Sequence, residues 1–250
     1  MVFFITGGAS GLGEQTVRVI HGQGARVAIA DWNEENLNKL KSELKERIIT
    51  HICDVTKEED VKNAINATAE AYGTIHVALA CAGVAWPLLT YSPKKELDIG
   101  TFRKVIDINL YGSIFVAKYA SIIMAKNKEV NERGEKGVIL FVSSVAAEEG
   151  QRGQVAYSAT KGALNGMVLP MARDLGKYGI RVVAIAPGIF ETPLSSMMPD
   201  KVRDGLNAMT PMGRMGQPDE FAHMVQMIIE NGYLNGVHLR IDGATKFAHK

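Results

Sequence analysis

Residues 2–13 read Val2-Phe3-Phe4-Ile5-Thr6-Gly7-Gly8-Ala9-Ser10-Gly11-Leu12-Gly13, an apolar run that ends in a glycine-rich turn. Val2 to Ile5 reads as a strand, and a helix follows from about Gly11 to Gln23. The rhythm repeats outward from there. Arg26 to Ala30 is a second strand, with a helix from about Glu34 to Lys45, and Ile48 to Ile52 is a third, with a helix starting near Lys57. Val77 to Ala80, Val138 to Val142, Arg181 to Ala186 and Val237 to Ile241 supply four more strands. A long helix from about Thr101 to Met124 and another carrying Tyr157 lie between them. Near-continuous apolar strands separated by helices indicate a parallel sheet covered on both faces. The fold class expected is α/β: one doubly wound domain over residues 1–250, a seven-stranded parallel sheet flanked by helices on both sides. Two segments interrupt the rhythm. Asn127 to Gly137 is a charged surface loop, and Gly188 to Gly216 is long enough to serve as a substrate lid.

Composition narrows the class. Hydrophobic residues make up 46% of 250, enough to fill a large core, and the formal net charge is +1. With no basic or acidic block, nothing points to nucleic acid or a membrane surface as a partner. Two cysteines imply no disulfide framework. The six histidines form no His-x-x-x-His pair, so no metal site is expected. No apolar run approaches the roughly 18 residues that cross a bilayer. The first strand begins at Val2, leaving no room for a targeting segment ahead of it. A cytoplasmic location is therefore expected, with the mitochondrial matrix as the alternative.

The first turn sits between a strand and a helix, the context a dinucleotide fingerprint requires. Its spacing is Thr-Gly-x-x-x-Gly-x-Gly, over Gly7, Ser10, Gly11, Leu12 and Gly13. Such glycines let the backbone approach a pyrophosphate, which then rests on the helix N-terminus. Asp31 ends the second strand about 20 residues further on, where a carboxylate binds the adenosine ribose and repels a 2′-phosphate. Neither Ser10 nor Trp32 offers the positive charge an NADP site wants. NAD is the expected cofactor.

A second constellation carries the chemistry. Tyr157 and Lys161 stand four apart in an Ala-rich run, hence on one helix face. A phenol near pKa ~10 exchanges protons poorly at neutral pH, and a fixed positive neighbour is expected to bring that value down. Ser144, thirteen residues upstream, belongs at the carboxyl end of a buried strand, where open α/β sheets bind ligands. The bland alternative is an amphipathic surface pair. Tyr91 and Lys95 repeat the spacing, but Pro93 between them breaks any helix, and Ala78 stands where a hydroxyl partner would be.

These residues resemble the short-chain dehydrogenase/reductase family over essentially the whole chain. The resemblance implies a Rossmann fold, a catalytic tetrad of Asn109, Ser144, Tyr157 and Lys161, and hydride transfer between NAD and a secondary alcohol or ketone. It implies that Ser144 and Tyr157 meet the substrate oxygen, that Lys161 binds the nicotinamide ribose, and that Asn109 holds a proton-relay water. The alternative for Asn109 is a cap or kink in the long helix. Asp54 and Val55 fit the adenine-contacting segment. Cys81-Ala82-Gly83 fits the family's Asn-Ala-Gly, with Cys replacing Asn, and Pro187, Gly188 and Thr192 fit the cofactor turn after the sixth strand. Cys81 to Ala85, Ser143 to Ala147, Ala172 to Leu175 and Ile228 to Asn231 resemble the branch acting on 3-hydroxyacyl-CoA thioesters and hydroxysteroids, whose NAD-contacting positions also match Phe190. An acyl-CoA or steroid-like substrate and a homotetramer are expected from that likeness. Met197, Met198, Met209, Met212 and Met215 suit a greasy ligand under the lid, or ordinary packing of a short helix. The reading from a different class is a non-catalytic NAD-binding subunit of a protein or RNA complex.

Overall fold

A computed structural model describes residues 1–196 and 200–246. Seven strands form one parallel sheet: β1 (Val2–Thr6), β2 (Arg26–Asp31), β3 (Ile48–Ile52), β4 (Val77–Ala80), β5 (Gly137–Val142), β6 (Ile180–Pro187) and β7 (Val237–Ile241). Their spatial order is β3-β2-β1-β4-β5-β6-β7. The chain builds outward from β1 and then returns to place β4 on its other side, with Ile5 beside Ile29 on one flank and Leu79 on the other. That reversal opens a crevice past the carboxyl ends of β1 and β4, the place where such sheets bind ligands.

Both faces of the sheet are dry. Phe4, Ala78, Ile139 and Ala184 point to one side, where they pack under α3 (Glu58–Tyr72), α5 (Gly112–Met124) and α6 (Val155–Gly176). Phe3, Ile5, Leu79 and Leu140 point to the other, under α1 (Gly11–Gly22), α2 (Glu34–Leu44) and α9 (Pro218–Glu230). All eight residues of β6 are buried, as strands covered on two sides must be.

The long helix expected over Thr101 to Met124 is divided. Helix α4 (Ile99–Ile106) starts on Asp98, whose carboxylate accepts the Thr101 amide at 3.2 Å. A π turn over Asp107–Tyr111 then separates α4 from α5. Tyr91 and Lys95 fall on the two arms of a small hairpin, Tyr91–Ser92 against Lys95–Glu96, so that spacing is no helix face. Helix α9 has no counterpart in the sequence reading. Its signal is nonetheless local: Pro218 opens the first turn, and the Glu220 carboxylate accepts the Gln217 amide at 2.7 Å.

The segment after β6 carries α7 (Pro193–Ser196) and α8 (Asp200–Met209). A bridge between Phe190 and Gly216 closes its neck. Helix α8 buries none of its side chains, whereas Met215 at the neck is buried. Met197, Met198 and Pro199 lie outside the described residues. Among the described residues, no helix is long and apolar enough to cross a membrane.

Candidate active site

The crevice is a cavity of about 730 Å³, large enough for a ligand of nucleotide size. Its floor is the first turn. Gly7 adopts φ +65°, and a Cβ there would stand 2.7 Å from Ala82 Cα. A Cβ on Gly13 would meet the Gly7 carbonyl at 2.2 Å. No side chain fits at either point, so the turn folds flat and leaves the N-terminus of α1 open. Ser10 caps that helix without a side-chain bond, and Gly11 faces Thr192, whose Cβ would stand 3.6 Å from an added Cβ. Unpaired amides at a helix N-terminus favour an anion.

One end of the cavity is set by Asp31. It is 6% exposed, and its carboxylate accepts the Ala9 amide at 3.1 Å and the Asn33 amide at 3.0 Å. Asp54 and Val55 stand nearby, and the Asp54 carboxylate accepts both the amide and the hydroxyl of Thr56, at 3.0 and 2.7 Å. Partial burial raises the Asp54 pKa, but those bonds together with Lys57 outweigh it and hold the pKa below the usual carboxylate range. Trp32, 79% exposed, and Trp86, 41% exposed, also line the cavity, as do Lys104, Asp107 and Ile108. The sequence reading assigned none of these five to it. Asp107 and Ile108 belong to the π turn, which no hydrophobic spacing announces.

The other end holds Tyr157 and Lys161 on α6, with Cys81 and Gly83 after β4. Lys161 is 5% exposed, donates to the Val142 carbonyl at 2.7 Å, and lies 5.4 Å from the centroid of the Tyr157 ring. Burial pulls its ammonium down to about 8. The phenol does not have the lowered pKa expected from the spacing. Burial pushes Tyr157 up, and a hydrogen bond to Ser144 only partly offsets it. Desolvation opposes the charged form of both partners, and it wins here. Burial also pushes the Cys81 thiol up to about 12, so it remains protonated.

Ser144 is buried at the head of a 3₁₀ turn, Val145–Ala147, where its oxygen accepts the Ala146 amide at 3.1 Å. Its hydroxyl hydrogen is directed at the Tyr157 oxygen. Ser143 instead donates to the Lys161 carbonyl at 3.1 Å and faces away from that role. Asn109 is fully buried in the π turn. It donates to the Val84 carbonyl at 2.9 Å and to Thr160 at 3.2 Å, and accepts the Val84 amide at 2.8 Å. Its side chain therefore fixes the segment after β4, and its carbonyl accepts the Ser113 hydroxyl.

Pro187, Gly188 and Phe190 do not line the cavity. Gly188 lies against Asp242, where a Cβ would come within 2.8 Å, and its amide donates to Ile241. The Phe190 ring stands edge-on to Phe221, with centroids 6.2 Å apart, under α9. These three hold the turn from beneath rather than touching the cavity with their side chains.

The family profile described as enoyl-(acyl carrier protein) reductase matches residues 7–244. The rat protein named 3-hydroxyacyl-CoA dehydrogenase type-2 is 46% identical over 250 residues, covering 98% of this chain and 95% of its own. A crystal structure of 3-hydroxyacyl-CoA dehydrogenase type-2 from Mycobacterium avium superposes with a TM-score of 0.93 at 37% identity, over 100% of this chain and 97% of the other. A 3-ketoacyl-(acyl-carrier-protein) reductase from Brucella melitensis, solved with NADH, gives 0.86 at 25% identity over 98% of both chains.

The depressed Lys161 carries a stability signature. A group bound to fewer protons in the folded chain costs stability at low pH, and that cost fades above its folded pKa. The penalty is full below about 8 and should disappear towards the unfolded lysine value of ~10.4. Urea unfolding of the wild type and of Lys161→Met, run from pH 7 to 10, should show the wild type gaining on the variant across that window. A constant difference between the two would assign Lys161 an ordinary pKa.

Proposed function

The chain belongs to the short-chain dehydrogenase/reductase family, and on that footing we propose that it interconverts a 3-hydroxyacyl-CoA and a 3-oxoacyl-CoA with NAD(H). One observation carries the reading: a single cavity joins a flat glycine turn and a ribose-binding carboxylate at one end to a buried tyrosine–lysine pair beside Ser144 at the other. The residues present fit a dinucleotide. Gly7, Gly11 and Gly13 clear its pyrophosphate, Asp31 meets the adenosine ribose, and Lys161 meets the nicotinamide ribose. When bound, NAD(H) supplies the hydride acceptor or donor.

The chain's own residues handle the proton. Ser144 turns its hydroxyl hydrogen from the Tyr157 oxygen to the substrate oxygen, which holds the carbinol carbon at the cofactor site. Tyr157 takes the alcohol proton in oxidation and returns it in reduction. A phenol raised by burial favours the protonated, reducing form at neutral pH, so oxidation should gain with rising pH. Lys161, once its ammonium faces the ribose, stabilises the phenolate. Asn109 holds the Val84 segment against α6, and its backbone carbonyl is the group offered to a relay water. The turn at Pro187, Gly188 and Phe190 positions Thr192 beside Gly11.

Two features set the substrate and the assembly. The 188–216 segment serves as the lid: it is pinned at Phe190 and Gly216, and its helix α8 has little to bury until an acyl chain supplies a surface. Tyr111, Ile122, Val155 and Leu169 leave apolar surface on α5, α6 and the π turn, which supports pairing of these helices between copies in a homotetramer. Sedimentation should then give a mass near four times 27.2 kDa; a monomer at micromolar concentration would remove the assembly from the proposal.

A panel of acetoacetyl-CoA, longer 3-oxoacyl-CoAs, steroid ketones and simple ketones, followed by NADH absorbance, tests the reading directly. Acyl-CoAs should turn over fastest, and no turnover with any member would favour a non-catalytic dinucleotide-binding role. Tyr157→Phe should lower turnover by about 10²–10⁴-fold, the usual worth of a positioned acid/base, with NADH affinity kept. Wild-type turnover in that variant would end the assignment. Asp31→Ala should narrow the preference for NADH over NADPH, because a carboxylate that repels the 2′-phosphate is gone. Equal use of both cofactors by the wild type would refute this role for Asp31.

A further inference from the structure

Arg240, near the end of the edge strand β7, makes a denser set of polar contacts than its position requires. Its Nη1 donates to Glu149 Oε1 at 2.7 Å and to Glu148 Oε2 at 3.3 Å. Its Nε and Nη2 both reach Asp242 Oδ2, at 2.8 and 2.6 Å, and Nη2 also donates to the Thr245 carbonyl at 3.3 Å. The guanidinium is 23% exposed, and the side chains of Glu149 and Asp242 are 18% and 13% exposed. Bonds of this charge-assisted, forked kind hold direction as well as distance.

The partners matter more than the count, because Glu148 and Glu149 belong to the turn after Ser144 while Asp242 and Thr245 belong to the segment after β7. Glu148 and Glu149 end the short turn that begins at Ser144. That turn is bonded throughout: Ala147 amide to Ser144 carbonyl at 3.0 Å, and Glu148 and Glu149 amides to Val145 carbonyl at 3.1 and 2.9 Å. A shift at Glu149 therefore reaches the Ser144 hydroxyl. Asp242 backs Gly188, in the turn that leads to Thr192. Thr245 donates to Thr210 at 3.0 Å, just beyond lid helix α8. His238 and Lys246 also contact Glu148 and Glu149, but neither spans to Asp242.

We infer that Arg240 is a positioning residue for hydride transfer, clamping the Ser144 turn to the turn after β6 and to the foot of the lid. It touches neither ligand. Without it, Glu148 and Glu149 lose their forked link to the β7 segment; the contacts of Glu148 with His238 and of Glu149 with Lys246 do not tie them to Asp242, and the Ser144 turn loosens. Among the described residues the glycine turn after β1 and the Asp31 carboxylate have no bond to the cluster, which reaches the cofactor site only through the Gly188 turn, so cofactor affinity changes far less than turnover. The inference rests on the dehydrogenase reading of this site.

The test uses full-length Arg240→Met, Arg240→Lys and Glu149→Gln, with acetoacetyl-CoA and NADH as probes and amide exchange across residues 145–149 as a readout apart from activity. Misplacing a reacting group by about 1 Å costs on the order of 10²-fold, so Arg240→Met should lose about 10–100-fold in kcat. NADH affinity should fall by much less than kcat, and exchange at 145–149 should quicken. Arg240→Lys, which keeps the charge but not the fork, should recover only part of the loss. A kcat near that of the wild type in folded Arg240→Met overturns the inference, whatever its melting temperature. If Arg240→Met does not fold, Glu149→Gln decides on the same two readouts. A wild type inactive on the whole panel would refute the function instead, and exchange at 145–149 would then decide the clamp alone.

Discussion

Lys161 places a positive charge at a nearly buried position on the cavity wall, and much of the surrounding architecture follows from making that tolerable. An ammonium taken out of water is costly unless it is bonded and faced by electron-rich groups. Here the Val142 carbonyl bonds it at 2.7 Å and the Tyr157 ring lies within cation–π distance. Gly83 leaves the remaining space open: a Cβ there would stand 3.6 Å from the Nζ and 3.2 Å from Asn109 Oδ1. The residual burial still depresses the lysine to about 8. A lysine that close to losing its proton responds strongly to any acceptor placed beside it.

The sheet and the glycine turn were legible in the sequence because both are written in local pattern. The central strands, covered on two faces, are apolar nearly throughout, and the mixed edge runs Ile48–Ile52 and Val237–Ile241 also fall where strands lie. A turn with no room for a Cβ must be glycine, so Gly7 and Gly13 announce a close backbone approach before any coordinate is known. The Tyr157–Lys161 spacing places both on one face of α6 for the same reason: helical geometry is fixed by residue number.

Properties set by distant contacts were not legible. The direction of the Tyr157 pKa depends on how much surrounding chain excludes water, and the four-residue spacing carries no record of that. Phe190 matches a cofactor-contacting position by order along the chain, yet its ring packs with Phe221 because Gly216 lets the two segments close. Asn109 sits in a π turn, where an inserted residue shifts the helix face and directs the amide into the Val84 backbone. Helix α9 follows a segment rich in Pro, Met and Gly, so its capping signals at Gln217, Pro218 and Glu220 stand next to breakers that mask its start.

The geometry separates a rigid half of the site from a pliant one. Tyr157, Lys161 and Ser144 lie on elements bonded to the central sheet, so their relative positions are set by the core before any ligand arrives. Among the described residues, the segment after β6 is tied by the Phe190–Gly216 bridge and the Thr210–Thr245 bond, and no side chain of its helix α8 is buried. Segments with few buried contacts open at low free energy. Proton transfer tolerates little displacement of its groups, whereas an acyl chain of variable length needs a cover that can adjust. On the function proposed here, chemistry placed on α6 and the turn after β5, with selectivity on a tethered loop, would satisfy both demands.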